Sequence, residues 1–263
     1  MIASIVKLAL ALAVALPLLL YFLQDRLIFF PQRLDDAYRA ETAARFPAAQ
    51  EIFIDATDGT RLHAWHVGSG PDLVLYFGGN AEEVSTMLES TGVRTPGVSW
   101  LLTDYRGYGA SGGSPSEKNL VSDALRWHQY ATHELHAKRV FAFGRSLGSG
   151  VAVALAARRP LAGVILVTPF DSLLAVAKRH YPYLPVQWLL RHRFDSIALA
   201  PGLGTPMLCL IAGSDELIPP AHAERLFGAW KGPKRKLVLA GAPHNDTDAA
   251  PEFWPAVERF LSG

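Results

Sequence analysis

Two segments carry a serine between two glycines in the pattern Gly-x-Ser-x-Gly: GRSLG at residues 144–148 and GASGG at residues 109–113. This pattern is typical of a nucleophilic serine on a sharp turn from a strand into a helix, whose amino terminus favours negative charge. Ser146 follows a strand-like run at residues 139–143 and opens a helix-like run, whereas Ser111 lies in a loop rich in glycine and serine. We therefore predict that Ser146 is the nucleophile and that Ser111 is a loop residue.

A serine hydroxyl needs a general base, and the base needs an acid that fixes its tautomer. With this nucleophile turn, the usual chain order is serine, acid, histidine. His244 follows a strand-like run at residues 236–240 through a short turn, which places it at the carboxyl end of a strand. We predict that His244 is the base. The other histidines after Ser146, which we expect to be exposed to solvent, are His180, His192 and His222.

Two aspartates follow strand-like runs and are candidates for the acid. Asp215 ends the run at residues 207–212 in the segment GSDE, and Asp171 follows the run at residues 163–168 in TPFD. We predict that Asp215 orients His244. Asp171 is the alternative, and it otherwise caps a helix or anchors a lid.

Acyl transfer also needs two backbone N–H groups for the oxyanion, one after the nucleophile and one after an earlier strand. The first is predicted to be Leu147. The second comes from the loop FGGNA at residues 77–81, where we predict Asn80, with Gly79 as the alternative. A competing interpretation is a plain turn in which Asn80 caps a helix that begins at Ala81.

Near-continuous apolar runs alternate with helix-like segments, which predicts an α/β fold, with a mostly parallel sheet covered by helices on both faces. Such sheets place their chemistry at the carboxyl ends of the strands. Asp58 and Gly59 predict a hairpin turn between two short strands. Ser114, Pro115 and Glu117 predict a helix that begins at Ser114 with a capping box.

Residues 171–205 interrupt this alternation and are rich in aromatic and aliphatic side chains. An insertion of this kind at the carboxyl edge of a sheet is typical of a short lid over a substrate pocket. The alternative is an ordinary amphipathic helix packed on the sheet.

Residues 1–23 contain one charged side chain, Lys7, and residues 8–23 are wholly apolar. As a helix this segment would span roughly 33 Å, enough for the hydrocarbon core of a bilayer. We expect a transmembrane anchor with a single pass; a cleaved signal peptide and a buried helix are the alternatives. Arginines after the segment balance Lys7, so the side of the membrane is not predicted.

The remaining chain divides into a connector at residues 24–50 and a single catalytic domain at residues 51–263. The sequence of 263 residues is 50% hydrophobic, and its net charge is +1, with 25 Lys and Arg against 24 Asp and Glu. This balance excludes the basic field that nucleic-acid binding requires. The single cysteine, Cys209, lies in an apolar run and is predicted to be a buried thiol.

Five segments in this order resemble a known family: FGGNAE (77–82), DYRGYGAS (104–111), GRSLG (144–148), GSDE (213–216) and PHND (243–246). The chain, from residue 24 to its end, is similar to the short-lidded α/β hydrolases described as serine aminopeptidase-like. That group includes membrane-anchored members and the palmitoyl-protein depalmitoylases. The resemblance implies the fold and the Ser-Asp-His triad. Gly78 departs from the pattern, because many relatives carry histidine there.

No histidine or carboxylate spacing here predicts a metal site, and no glycine fingerprint predicts a phosphate-bearing cofactor. The expected function is hydrolysis of esters or thioesters, with an apolar acyl group expected from the lid and the anchor. A peptidase with the same triad and a non-catalytic membrane scaffold are the alternatives. The sequence does not predict an oligomeric state.

Overall fold

The structure is a computed structural model. It describes the backbone of residues 2–95 and 97–263, and the side chains of the same residues except 2–3, 5–6, 8–14 and 92–94. The helices are α1 (Ile2–Ile28), α2 (Asp36–Arg45), α3 (Leu88–Arg94), α4 (Glu117–His133), α5 (Leu147–Ala156), α6 (Leu173–His180), α7 (Val186–Leu189), α8 (Ser196–Leu199), α9 (Pro220–Ala229) and α10 (Phe253–Ser262). The strands are β1 (Gln50–Asp55), β2 (Arg61–Val67), β3 (Asp72–Phe77), β4 (Val98–Thr103), β5 (Arg139–Arg145), β6 (Gly163–Val167), β7 (Met207–Ala212) and β8 (Lys234–Leu239).

In the described chain, these strands form one sheet in the order β1-β2-β4-β3-β5-β6-β7-β8. Strand β2 pairs antiparallel with both β1 and β4, and all other neighbours are parallel. The predicted hairpin is confirmed, since Asp55 pairs with Arg61 and Gly59 has a φ of 79°. The predicted fold class is therefore confirmed, and the antiparallel pairs are confined to one end of the sheet.

Both faces of the central strands β3 to β7 are buried, which explains why these strands are apolar without alternation, whereas the edge strands β1 and β8 are partly exposed. In β5, Val140 and Ala142 face a core formed with α4, α5 and α9. Phe141 and Phe143, on the opposite face, pack with α3 and α10. Cys209 is fully buried in the first of these cores, and burial raises the pKa of its thiol to about 12. The predicted structural role of this thiol is confirmed.

The predicted start of one helix is wrong, and so is the competing interpretation in which a helix begins at Ala81. Helix α4 begins at Glu117 rather than Ser114, and its cap is Ser116, whose Oγ accepts from the N–H of Asn119 at 3.1 Å. The Glu117 carboxylate does not close a capping box, because it accepts the N–H groups of Arg193 and Phe194. These two residues belong to the segment 171–205, which is predicted to be a lid and is called the lid below. No helix begins at Ala81, whose φ of 59° is left-handed; a 3₁₀ turn begins at Val84 instead.

The predicted anchor at residues 1–23 falls largely on residues whose side chains lie outside the described part. The backbone of α1 is helical from Ile2 to Ile28. Within the described part of the chain, no helix has the combined length and apolarity that crossing a membrane requires.

The connector at residues 24–50 contacts the rest of the protein at several points, although most of its side chains are exposed. Phe29 is 2% exposed and belongs to the larger core, and Thr42 of α2 is also buried. Arg39 forms an ion pair with Glu51 at 2.7 Å. Residues 24–34 also contact two loops beside the sheet's carboxyl edge, as described below.

Candidate active site

Ser146 lies between β5 and α5, in a strained turn. Its φ of 50° and ψ of −114° are unusual for a residue with a side chain, and such strain is found at nucleophile turns. Glycine is required on both sides. A Cβ on Gly144 would lie 2.3 Å from the carbonyl oxygen of Gly148, and a Cβ on Gly148 would lie 2.0 Å from that of Phe77. The Gly-x-Ser-x-Gly pattern therefore lets α5 pack directly against β3 and β5.

The side chains of Ser146, His244 and Asp215 form a continuous hydrogen-bonded chain. Nε2 of His244 lies 2.9 Å from Oγ of Ser146, and Nδ1 lies 2.6 Å from Oδ2 of Asp215. His244 is 8% exposed and Asp215 6%. The loops after β5, β7 and β8 bring the three together at the carboxyl edge of the sheet. With Nδ1–H donated to the carboxylate, Nε2 is left to accept the serine proton.

The turn after β7 fixes the direction of the Asp215 carboxylate. Its Oδ1 accepts the N–H groups of Leu217 at 3.0 Å and Ile218 at 2.7 Å. The other oxygen is thereby directed to His244. The loops after β7 and β8 are also joined by a bond from the N–H of Ser214 to the carbonyl of Ala242, at 3.0 Å.

The alternative acid, Asp171, belongs to a separate buried cluster. Its Oδ1 accepts from Nδ1 of His222 at 2.7 Å and its Oδ2 from Nε of Arg225 at 2.6 Å. Burial raises the pKa of Asp171, but the hydrogen bonds to His222 and Arg225 have the larger combined effect and lower it. The net pKa is therefore below its ordinary value. The backbone carbonyl of Asp171 accepts from the N–H of Ile197 at 2.8 Å, which ties together the two ends of the lid.

The prediction that three downstream histidines are exposed is right for His180 alone. His192 is 7% exposed and His222 3%. Both are buried because a carboxylate satisfies one ring nitrogen of each: Asp25 lies 2.6 Å from Nε2 of His192, and Asp171 pairs with His222. A carboxylate partner so far away along the chain could not be read from local sequence.

Two backbone N–H groups are available to form the predicted oxyanion site. The N–H groups of Leu147 and Asn80 have no acceptor among the described residues. The N–H of Gly79 is already donated to Oε2 of Glu82 at 2.5 Å. Of the two residues considered for this loop, Asn80 therefore has the free N–H, and Leu147 has a free N–H at the amino terminus of α5.

The loop at residues 78–82, here called the oxyanion loop for its predicted role, is supported by side chains that the sequence did not single out. The hydroxyl of Tyr105 donates to the carbonyl of Gly78 at 2.8 Å. The hydroxyl of Tyr76 donates to Glu82, whose other oxygen holds Gly79. These contacts support the loop at Gly78 and Gly79.

Residues 24–34, here called the strap, run between the oxyanion loop and the lid. The side-chain nitrogen of Asn80 donates to the carbonyl of Ile28 at 2.6 Å, and its oxygen accepts from the N–H of Phe30 at 3.0 Å. The hydroxyl of Tyr108 donates to the same oxygen at 2.7 Å. All the polar atoms of the Asn80 side chain are therefore engaged by the strap and its support.

On the lid side, the strap is bound through Gln24 and Asp25. Gln24 donates to the carbonyl of Leu189 at 3.0 Å and accepts from the N–H of Arg191 at 2.7 Å. Asp25 pairs with the side chains of Arg191, at 2.7 Å, and His192. The strap thus joins the lid to the oxyanion loop.

Arg145 connects the nucleophile turn to the histidine loop. Its guanidinium donates to the carbonyl of Asn245, next to His244, and lies 3.9 Å from Asp248. Burial lowers the pKa of Arg145, but the nearby carboxylate of Glu82 raises it above its ordinary value. The side chain therefore remains charged and holds the loop that carries His244.

The second glycine-flanked serine, Ser111, is structural. Its Oγ accepts from the N–H of His63 at 2.8 Å and donates to the carbonyl of Asp104 at 3.0 Å. The His63 ring itself pairs with Asp104 at 2.6 Å. Because its hydroxyl is committed to the backbone, Ser111 fits the loop role predicted for it.

Proteins of similar sequence indicate the family to which this chain belongs. The family model described as "Serine aminopeptidase, S33" matches residues 73–202. An uncharacterized protein of Mycobacterium tuberculosis is 37% identical over 249 residues, covering 91% of this chain and 87% of the relative. An uncharacterized membrane protein of Saccharomyces cerevisiae is 30% identical, covering 92% and 90%. The human α/β-hydrolase domain-containing protein 17B is 30% identical, covering 84% and 78%.

Among solved structures, an esterase from Pyrococcus furiosus superimposes with a TM-score of 0.69 at 16% identity, covering 89% of this chain and 98% of that one. An esterase from Exiguobacterium antarcticum gives a TM-score of 0.62 at 20% identity, covering 81% and 100%. These two likenesses show the fold. Together with the relatives and the eight-stranded sheet, they lead to one conclusion: the chain belongs to the α/β-hydrolase family.

Proposed function

We propose that this protein hydrolyses carboxylic esters or thioesters through an acyl-enzyme on Ser146. The observation that carries the proposal is the pair of distances at His244, 2.9 Å to Ser146 and 2.6 Å to Asp215. A serine that is hydrogen-bonded to a histidine, which is itself oriented by a buried carboxylate, is an activated nucleophile.

In the proposed reaction, Oγ of Ser146 attacks the substrate carbonyl while Nε2 of His244 takes the hydroxyl proton. The N–H groups of Leu147 and Asn80 bind the oxyanion. His244 then returns the proton to the departing alcohol or thiol, which leaves the acyl group on Ser146. Water then attacks the acyl carbonyl while His244 takes its proton. His244 returns this proton to Oγ of Ser146 as the acyl-enzyme bond breaks, and the carboxylic acid leaves.

We propose an apolar acyl group as the preferred substrate class. Leu217, two residues after Asp215, is 53% exposed beside the candidate site. Nε2 of His180, at the end of α6, lies 2.8 Å from the carbonyl of Leu217, which places the lid next to this residue. An acyl chain bound here would cover apolar surface that is otherwise in contact with water.

We also propose that the amino-terminal helix holds the protein at a membrane. Residues 8–23 carry no charge. The described part of α1 exposes Leu16, Leu18, Leu19 and Phe22, each at 49% or more. A relative from yeast is named a membrane protein. Large exposed apolar side chains on one helix are unusual unless a membrane or a partner covers them.

The substrate class is tested with p-nitrophenyl esters and acyl thioesters of increasing chain length, using the full chain in detergent. We expect hydrolysis that rises in kcat/KM as the acyl chain lengthens and that disappears in Ser146→Ala. Equal rates for acetyl and longer esters would exclude the apolar acyl preference. No hydrolysis of any ester, with Ser146 intact, would overturn the esterase proposal.

A peptidase with the same triad is a second candidate, because the matching family model is described as a serine aminopeptidase. Aminoacyl p-nitroanilides in the same assay separate the two. Hydrolysis of anilides in preference to esters would establish the peptidase. A folded protein without hydrolytic activity would favour the membrane scaffold.

A further inference from the structure

We infer that the tip of the lid is a docking surface for an anionic lipid bilayer. The surface consists of exposed cationic and aromatic side chains on α6, α7 and the loops beside them: Lys178, Arg179, Tyr181, Tyr183, Trp188 and Arg191, here called the lid surface. Neither the family match nor the catalytic site assigns a role to these residues.

The aromatic side chains of the lid surface are unusually exposed. Tyr183 is 98% exposed, Trp188 78% and Tyr181 57%. Tryptophan on a folded surface is normally buried along much of its ring, whereas Trp and Tyr prefer the boundary between lipid and water. Three such rings on one short insertion therefore fit a membrane interface.

The charge of the lid is complementary to anionic headgroups. The lid, residues 171–205, contains four Lys and Arg, namely Lys178, Arg179, Arg191 and Arg193, against two carboxylates, Asp171 and Asp195. Asp171 is buried and paired with Arg225, and Arg191 is paired with Asp25. The whole chain carries a net charge of only +1. Lys178 and Arg179 form no ion pair among the described residues, so their charges are available to a partner. Each cation held near an anionic bilayer adds to binding.

The lid surface continues onto α1. The guanidinium carbon of Arg191 lies 5.3 Å from the centre of the Tyr21 ring, and Tyr21 packs edge-on against Phe22 at 5.4 Å. Phe22 is 71% exposed. Arg191 of the lid surface is thus a direct neighbour of the exposed end of α1, and a partner that covers the lid surface there can also contact α1.

A lipid bilayer accounts for these features together. It accepts aromatic rings at its boundary, apolar side chains below them and cations at its headgroups. The strap joins this surface to Asn80, so a docked lid would place the candidate site beside the membrane. Docking of the lid surface does not depend on catalysis, so it is measured in a Ser146→Ala background.

The test measures contact of Trp188 with lipid. The full-length chain is mixed with phosphatidylcholine vesicles carrying brominated acyl chains, with and without phosphatidylglycerol. Bromine quenches tryptophan that enters the bilayer, and the difference between the parent and Trp188→Phe isolates Trp188 from the other tryptophans. We expect quenching of Trp188 that is strong with phosphatidylglycerol and weak without it.

The role of the lid cations is tested by comparing two double variants that each remove two positive charges, one in the lid and one elsewhere. Lys178→Gln with Arg179→Gln should shift the docking equilibrium roughly thirtyfold towards the free lid and remove most of the Trp188 quenching. Lys231→Gln with Arg235→Gln makes the same charge change near the amino end of β8 and should leave the quenching unchanged. Quenching that is absent, that is equal in both vesicles, or that falls equally in both double variants would overturn the inference.

Discussion

The side-chain nitrogen of Asn80 donates a hydrogen bond to the carbonyl oxygen of Ile28, 52 residues earlier in the chain, at 2.6 Å. Through this contact the end of α1 holds the residue whose N–H is free to bind an oxyanion. The connector that the sequence separates from the catalytic domain is therefore part of the support of the candidate site.

We expect that loosening this support lowers turnover more than substrate binding. In Asn80→Ala the backbone N–H remains but its anchor is lost, and in Tyr108→Phe one of the bonds to the Asn80 oxygen is lost. Both should reduce kcat about tenfold or more, below the roughly 100-fold to 1000-fold cost of deleting an oxyanion donor, with little change in KM.

Steady-state kinetics on an ester check this prediction, with Tyr130→Phe as a control that removes a hydroxyl from α4. Burial raises the pKa of Tyr108 to about 12, so its hydroxyl remains a donor and the loss should be the same across the working pH range. A rise in KM at unchanged kcat would show that the strap does not position the oxyanion loop.

The two candidate acids are distinguished by conservative substitution. Asp215→Asn removes the charge that fixes the His244 tautomer and should lower kcat by about 10⁴-fold. Asp171→Asn weakens the cluster of His222 and Arg225 and should lower thermal stability instead, with most of kcat retained. Kinetics and thermal unfolding are measured on both variants. The reverse pattern would move the catalytic role to Asp171.

Because α5 packs closely against β3, we expect a substitution of Gly148 to destabilise the fold strongly. A Cβ there would lie 2.0 Å from the carbonyl oxygen of Phe77, and backbone must move to relieve it. Gly148→Ala should lower the free energy of unfolding by about 3 kcal/mol or more. Gly228→Ala on α9, where a Cβ meets nothing within 4 Å, should be neutral or slightly stabilising. Urea unfolding compares the two, and equal effects would contradict the packing argument.

Stability should decrease on mild acidification. Burial lowers the pKa of His66 and of His128 below the ordinary value of 6.5. Below pH 6.5 the two histidines bind protons in the unfolded chain but not in the folded chain. Their contribution to the free energy of unfolding is therefore fully present above pH 6.5, and it is lost as the pH falls through their lowered pKa values in the folded protein. The double variant His66→Gln with His128→Gln should lose less stability than the parent between about pH 7 and about pH 5 in thermal unfolding. Parallel losses would exclude these histidines as the cause.

Much of the fold and of the candidate triad follows from local sequence. Apolar runs predict the parallel strands, and the strand-to-helix position of Ser146 distinguishes it from Ser111. His244 is marked by the strand that it follows. These inferences succeed because each depends on a few adjacent residues and on the rule that chemistry gathers at the carboxyl ends of strands.

The remainder depends on contacts between distant segments. The burial of His192 requires Asp25, and the predicted capping box does not form because Glu117 binds the lid backbone. The support of Asn80 by the strap likewise joins residues far apart in the chain. Pairings of this kind leave no periodicity or spacing in one sequence, so they can be found only in the folded structure.

The central claim is that Ser146 is an activated nucleophile, and covalent labelling tests it most directly. The full chain is treated with a fluorophosphonate probe and its intact mass is measured, alongside Ser146→Ala and Ser111→Ala. We predict one added probe on the parent and on Ser111→Ala, and none on Ser146→Ala. Labelling that survives in Ser146→Ala, or a folded parent that takes up no probe, would contradict the account.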